Sequence, residues 1–300
     1  MNNKKVTVVG SVNYDIIFQQ SRLPEIGETL TADSVSFSGG GKGANQAVQC
    51  AKLGLETFMV GKVGNDGFGT KLLADLKEYG VDTSFIGTGR ASTGLGVVNA
   101  VDDGKVTATI YKGANYDLTC ADIDQAEKLI ADSGIVILQL EVPRKVVEYT
   151  IDMAKRHNCY VILNAAPASE IAEEKLNLVD CLVVNETEAS YYTGRKVSNQ
   201  QEAEAVCEEL FKRVSGLLVL TLGEKGSILY NGKKAYQFEA EKVDAVETTG
   251  AGDSYIGAIA YALTEDFPYE KMGHFAARIS AKTVMKVGGQ QAMPYLSEVT

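Results

Sequence analysis

The sequence predicts an α/β fold: a doubly wound, mostly parallel sheet with a small β-sheet lid projecting from it. Three observations lead there. Six short Val/Ile/Leu-rich runs scarcely alternate in polarity, as strands buried on both faces do. Amphipathic segments of helical length lie between them. Two further stretches fit neither pattern and suggest additional β-structure. Strand and helix in turn along one chain favour a layered α/β core.

The strand candidates, in order, are "VTVVG" (6–10), "TFMVGKVG" (57–64), "GIVILQL" (134–140), "CYVILN" (159–164), "CLVVN" (181–185) and "LLVLTLG" (217–223). "FGTKLLADLKEYG" (68–80) and "RKVVEYTIDMAKRH" (144–157) are the clearest helices between them. The stretch 14–40 carries little helical period, and 93–115 predicts a hairpin turning at Asp103-Gly104, a strong short-range hairpin signal. These two stretches predict a lid inserted over about 11–38 and 91–114 of a single domain spanning 1–300. A sheet this small is not stable alone and must pack on the core, a ligand or a partner subunit.

There are 29 basic and 39 acidic side chains, a formal charge of 29 − 39 = −10. A nucleic-acid or anionic-membrane surface needs a net basic face, so neither partner is expected. A small anion is still compatible, because a nest of backbone N–H groups does not depend on net charge. The five cysteines (Cys50, Cys120, Cys159, Cys181 and Cys207) form no C-x-x-C pair. Reduced thiols in a cytoplasmic protein are expected. Only His157 and His274 could supply imidazole, and neither lies near a cysteine in sequence, which disfavours a zinc site or a His-based triad. "MNNKKVTVVG" turns polar again within a few residues and reads as a first strand, not a signal peptide. No apolar run approaches the roughly 20 residues of a membrane span.

Neither G-x-x-x-x-G-K-[ST] nor G-x-G-x-x-G is present, which removes the main support for a Walker-type NTPase or a dinucleotide-binding dehydrogenase. "SGGGKGANQAVQCAKLG" (38–54) is a glycine nest running into a helix. Glycine permits positive φ and close approach of a ligand to the backbone, and Lys42 and Asn45 add a cation and an amide at its mouth. A site is favoured there over an ordinary glycine loop. "ETTGAGDSYIGAIAYAL" (247–263) starts a helix whose Ile256, Ile259, Ala260 and Leu263 share one face. Locally, Asp253 is best explained as its N-cap. The alternative is a carboxylate standing among open first-turn N–H groups, where an anion could bind.

"NETEASYYTG" (185–194) spaces Asn185 and Glu188 as a capping box would; equally, the pair could order a hydrated Mg²⁺. "TLGEKG" (221–226) is by itself more consistent with a turn than with a phosphate loop. Glu141, Asn164, Asn13 and Asp15 follow predicted strands, where open α/β sheets bind ligands. One such residue means little; several, with two glycine nests, suggest a convergent polar site.

Taken together, "GAGD" (250–253), "GGGKGANQA" with "GKVGNDGFG" (61–69), and "NETE" resemble the motifs of the ribokinase (PfkB) family of carbohydrate kinases. The matches run in order from residue 6 to about 294. The resemblance implies phosphoryl transfer from ATP to a sugar hydroxymethyl group, and "GSVNYD", "GGKGANQAV", "QLE" and "NETEA" are most similar to the members that phosphorylate ribose at its 5-hydroxymethyl. By this resemblance Asp253 is the base, and the backbone N–H groups of the Gly250–Ala251–Gly252–Asp253 turn form the anion hole. It places Asn13, Asp15, Gly41, Lys42, Asn45 and Glu141 on the sugar, with Gly96, Val98 and Ile110 as lid contacts. Asn185 and Glu188 would serve phosphate and Mg²⁺, the latter indirectly, while Thr221, Gly223 and Gly226 line the nucleotide site. A K⁺-type cation site would involve Glu247, Thr249, Thr283, Lys286 and Gly288.

Because the small sheet must pack on something, a homodimer formed through the lid is also expected. The chain departs from the family pattern at Glu247, where Asp is usual, at Ala292, where Ser is common, and at Ala165, where Pro is common. The first two bear on the cation site. No arginine cluster marks the lid, so a phosphorylated sugar is not expected. A kinase of deoxyribose, another sugar or a nucleoside is the alternative, followed by an inactive sugar- or nucleotide-binding protein.

Overall fold

The computed structural model describes residues 3–101, 106–197 and 199–299. The strands, in chain order, are β1 (Lys5–Val9), β2 (Asn13–Gln20), β3 (Ser34–Gly40), β4 (Glu56–Val63), β5 (Asp82–Thr88), β6 (Gly94–Val101), β7 (Val106–Tyr111), β8 (Ile135–Leu138), β9 (Tyr160–Asn164), β10 (Cys181–Asn185), β11 (Leu217–Thr221), β12 (Ser227–Tyr230) and β13 (Ala235–Phe238). The helices are α1 (Lys42–Lys52), α2 (Gly67–Glu78), α3 (Cys120–Gln125), α4 (Glu127–Ala131), α5 (Arg144–Arg156), α6 (Glu173–Leu176), α7 (Glu186–Thr193), α8 (Gln200–Phe211), α9 (Ala251–Thr264) and α10 (Tyr269–Val284).

Nine strands form one sheet in the order β13-β12-β11-β10-β9-β8-β1-β4-β5. Pairing is parallel from β11 through to β5, and only the β11–β12 and β12–β13 pairings are antiparallel. All six expected strands are present in this sheet. The reason is visible in β1 and β8. Val6, Val8, Ile135 and Ile137 pack on one face, whereas Val9, Val136 and Leu138 pack on the other. A strand covered on both sides needs apolar residues at every position. Helices α1, α2, α9 and α10 bury the first face, and α3 to α8 the second. Each fully buried Ile or Leu in these layers contributes about 1.5–3 kcal/mol relative to exposure.

The second sheet has the order β3-β2-β6-β7. It is antiparallel at β2–β3 and β6–β7, and parallel at β2–β6. The expected turn at Asp103-Gly104 lies outside the described residues. Tyr14 of β2 fastens this sheet to the core, with its ring 4.6 Å from Phe68 of α2 and 6.0 Å from Phe37 of β3. Val35, Phe37, Ile110 and Tyr111 stay about half exposed.

Candidate active site

The chain leaves β1 towards β4 and β5 on one side and returns through β8 to β11 on the other. Strand order therefore reverses beside β1, and the carboxyl ends of strands at such a reversal border a crevice. The ends of β1, β8 and β9 meet the N-termini of α1 and α9 there.

Helix α9 begins at Ala251, and its N-cap is Gly250, at φ +81° in the left-handed region. Asp253 is thus the third helical residue and not the cap, which corrects the local expectation. With no cap side chain present, Asp253 turns away from its own helix. It is 7% exposed, and its Oδ2 accepts from Asn45 Nδ2 at 2.9 Å while Oδ1 accepts from Gln46 Nε2 at 2.9 Å. First-turn N–H groups have no acceptor within their own helix. That of Ala251 donates to Thr248 O at 3.2 Å. A Cβ at Gly252 would meet nothing within 4 Å, so no neighbouring side chain crowds this part of the turn.

At the start of α1, Gly41 lies at φ +85°, and a Cβ there would be 2.8 Å from Asn13 N. Only glycine lets the helix sit this close to the β1–β2 turn. Glu141 Oε2 accepts from Ser11 Oγ at 2.5 Å and from Lys42 N at 3.1 Å, which ties the end of β8 to both. Asn13 Oδ1 accepts from Asn115 Nδ2 at 2.7 Å. The Asp15 carboxyl fits between two glycines of neighbouring strands: added Cβ atoms would lie 2.0 Å from it at Gly40 and 2.3 Å at Gly96. Burial holds this carboxyl up at about 6, and the charges of Glu141, Asp253 and Glu247 push the same way. Burial opposes the charge on Lys42, but Asp253, Glu141 and Glu188 together outweigh it and hold the ammonium above its ordinary range. Gly96 is paired with both Asp15 and Ile110, and Val98 follows two residues on.

On the other side, Asn185 and Glu188 close a reciprocal capping box on α7. Asn185 Oδ1 accepts from Glu188 N at 2.9 Å, and Glu188 Oε2 from Asn185 N at 2.8 Å. Burial raises the Glu188 carboxyl above the usual range. Thr221 ends β11, and the turn after it closes with Leu222 N donating to Gly226 O at 2.8 Å. Gly223 and Gly226 both have positive φ in that turn.

The expected cation-site residues fall on two adjoining segments. Glu247 Oε2 accepts from Gly288 N at 2.9 Å and so links them. A Cβ at Gly289 would sit 3.9 Å from Thr249 Cγ2, which places Thr249 against the same junction. Thr283 Oγ1 donates to Ile279 O at 3.0 Å, and Lys286 Nζ pairs with Glu298 at 3.0 Å. Those two side chains are engaged elsewhere. Ala292 is buried nearby. Among the described residues, no three His, Cys, Asp or Glu side chains converge to hold a metal ion.

Four residues at this crevice were not picked out from sequence: Gln46, Asn115, Gln139 and Gln290. Gln290 Nε2 donates to Asn45 Oδ1 at 3.0 Å. A signal existed for Gln139, a lone amide inside the apolar run "IVILQL", since a buried polar group needs a partner. Nothing in sequence named that partner.

The chain is similar to known proteins over nearly its whole length. Residues 3–296 match the model of the pfkB family carbohydrate kinases. The chain is 36% identical over 299 residues to the ribokinase of Staphylococcus aureus (strain COL), covering 98% of each chain. It is 32% identical over 295 residues to the deoxyribokinase of Salmonella typhi, covering 98% of this chain and 96% of that one. The structure of Arabidopsis thaliana ribokinase complexed with ribose and ATP superposes with a TM-score of 0.91 at 32% identity, covering 100% and 98% of the two chains. With its two glycine nests at one strand-order reversal and this match over nearly its full length, the chain belongs to the pfkB family of carbohydrate kinases.

Proposed function

We propose that the chain is an ATP-dependent kinase that phosphorylates the 5-hydroxymethyl group of ribose. The observation that carries this reading is the placement of Asp253. It is a buried carboxylate in the first turn of α9, with the polar cluster of Asn13, Asp15, Lys42, Asn45 and Glu141 on one side. On its other side are first-turn N–H groups that lack helical acceptors. Asp253 takes the proton of the attacking hydroxyl. The N–H groups of Gly252 and Asp253, joined by that of Ala251 when it leaves Thr248 O, stabilise charge on the transferring phosphoryl group. Positioning and electrostatic stabilisation are the main demands of this reaction.

Asn13, Asp15, Asn45 and Glu141 hydrogen-bond the sugar hydroxyls, Lys42 and the Gly41 backbone close the same end, and Gly96, Val98 and Ile110 cover the ring. Thr221, Gly223 and Gly226 line the nucleotide site. Asn185 and Glu188 suit a Mg²⁺ that keeps most of its waters, since such an ion needs few protein carboxylates beyond the phosphates themselves. When bound, it neutralises charge on those phosphates. The junction of Glu247, Thr249 and Gly288 suits a K⁺-type ion through backbone oxygens, with Thr283 and Lys286 contributing main-chain atoms only. The half-exposed Val35, Phe37, Ile110 and Tyr111 of the lid support a homodimer. Five free thiols support a cytoplasmic setting, and no helix among the described residues is long and apolar enough to cross a membrane.

A second reading, phosphorylation of deoxyribose, is favoured by the similarity to a deoxyribokinase. ADP release with ATP and Mg²⁺, with and without K⁺, on ribose, deoxyribose, fructose and adenosine separates the two. Preference for ribose is expected. Preference for deoxyribose moves the specificity, and no turnover on any of them contradicts the proposal.

A further inference from the structure

Behind Asp253 runs a chain of side-chain amides that none of the ligand contacts above uses. An ionised carboxylate only accepts hydrogen bonds, so both amides touching it must present nitrogen. That fixes which way Gln46 faces. With Nε2 on Asp253 Oδ1, Gln46 Oε1 points back and accepts from Gln139 Nε2 at 2.6 Å. The same Nε2 lies 3.3 Å from Asn164 Oδ1. Gln139 is then left with Oε1 buried and, among the described residues, without a hydrogen-bond partner. The side chain is packed so closely that a Cβ at Gly10 would fall 1.9 Å from that atom.

The two oxygens of Asp253 therefore differ. The donor to Oδ1, Gln46, is fully buried and held by two further side chains, Gln139 just after β8 and Asn164 at the end of β9. The donor to Oδ2, Asn45, is 6% exposed and belongs to the sugar cluster.

We infer that Gln46 is a positioning residue for Asp253: it tethers Oδ1 and leaves Oδ2, the oxygen released when Asn45 turns to the sugar, as the proton acceptor. This rests on Asp253 being the base. In the step itself the substrate O–H bond breaks with its proton passing to Oδ2. The hydroxyl oxygen forms a bond to the γ-phosphorus as the bond from that phosphorus to the bridging oxygen breaks. ADP leaves with that electron pair, and the proton later passes from Asp253 to solvent. A donor fixed on Oδ1 holds the carboxylate in one orientation, so that Oδ2 stays aimed at the attacking hydroxyl.

The test compares Gln46→Met and Gln46→Glu with the parent in the acid limb of kcat, at saturating ribose and ATP. The other charges acting on Asp253 are Lys42 of α1, Asp15 of β2 and Glu188 of α7, with Glu141 and Glu247 beside Asp15. They are the same in all three proteins. Gln46→Met is expected to lower kcat about 30-fold and move the acid limb to higher pH, with both KM values within about threefold. Gln46→Glu keeps the side-chain shape and makes two carboxyls share a proton, so the limb moves further in the same direction. It carries the decision if Gln46→Met does not fold. A lowered Tm with kcat and the acid limb in place would mean a purely structural role and overturn the inference. Asp253→Asn run alongside separates the two claims. If it is inactive while the Gln46 variants behave as the parent, only the positioning role fails; if it is active, the assignment of the base fails.

Discussion

Helices α7 and α9 each carry an acid as their third residue, Glu188 and Asp253, yet the two carboxylates face opposite ways. The difference lies three positions earlier. Asn185 at the N-cap of α7 offers a side-chain oxygen to the Glu188 N–H, and Glu188 folds back onto the Asn185 N–H. Gly250 at the N-cap of α9 has no side chain to offer and holds a left-handed φ of +81°. Asp253 has no reciprocal bond to make, so it extends to Asn45 and Gln46 on another helix. The same position in a helix thus yields a structural acid or an available one, according to the cap. A glycine cap also leaves the first-turn donors open to a ligand.

The largest effect that follows from the comparison concerns those donors. Gly252→Pro removes one N–H from the first turn of α9, where proline is tolerated. Loss of one such donor should lower kcat about 10²–10³-fold with little change in Tm. An unchanged kcat would mean that the open turn does not meet the phosphoryl group.

Asp15 supplies a third acid, partly exposed at the site and set in strand β2 instead of at a helix start. Its folded value of about 6 stands above the ordinary 3.8. The neutral form is favoured in the folded protein, so this group's contribution to stability is present below pH 3.8 and is lost as pH rises through 6. Asp15→Asn should therefore stabilise the protein at pH 8, by on the order of 1–3 kcal/mol, and change little at pH 3.5. It should also weaken ribose binding at pH 8. Denaturant melts at the two pH values and calorimetric titration with ribose check both halves.

A smaller effect is expected at the capped helix. Asn185→Ala removes the acceptor of the α7 box and should cost about 1 kcal/mol, read as a lowered urea midpoint at unchanged slope. If the box alone explains Glu188, the Mg²⁺ requirement for turnover stays as in the parent. If the pair also orders the ion, more Mg²⁺ is needed for half-maximal rate.

Sequence revealed the layered core because burial on both faces leaves its mark on every residue of a strand, as in "IVIL" of β8. Strands β5 and β13 left a weaker mark, since Asp82, Ser84 and Gln237 interrupt them and part of each stays exposed, and β12 is only four residues long. The glycine nests were legible as composition. Asp253 was misplaced by three residues, because an aspartate before an apolar helical face looks like a cap until Gly250 is seen to occupy that position. The amide chain was not legible at all. Gln46 and Asp253 are 207 residues apart, and Gln46 and Gln139 are 93 apart. Periodicity and local motifs report neighbours within a turn or two, whereas these contacts exist only once β1, β8 and β9 lie side by side.

The central claim is that Asp253 is free of its own helix because it serves as the base. The most direct measurement is turnover of Asp253→Asn on ribose and ATP, with calorimetric binding of each ligand on the same preparation. The account predicts binding within about threefold of the parent and a kcat lower by at least about 10³-fold. A variant that binds both ligands and turns over within about tenfold of the parent would contradict it.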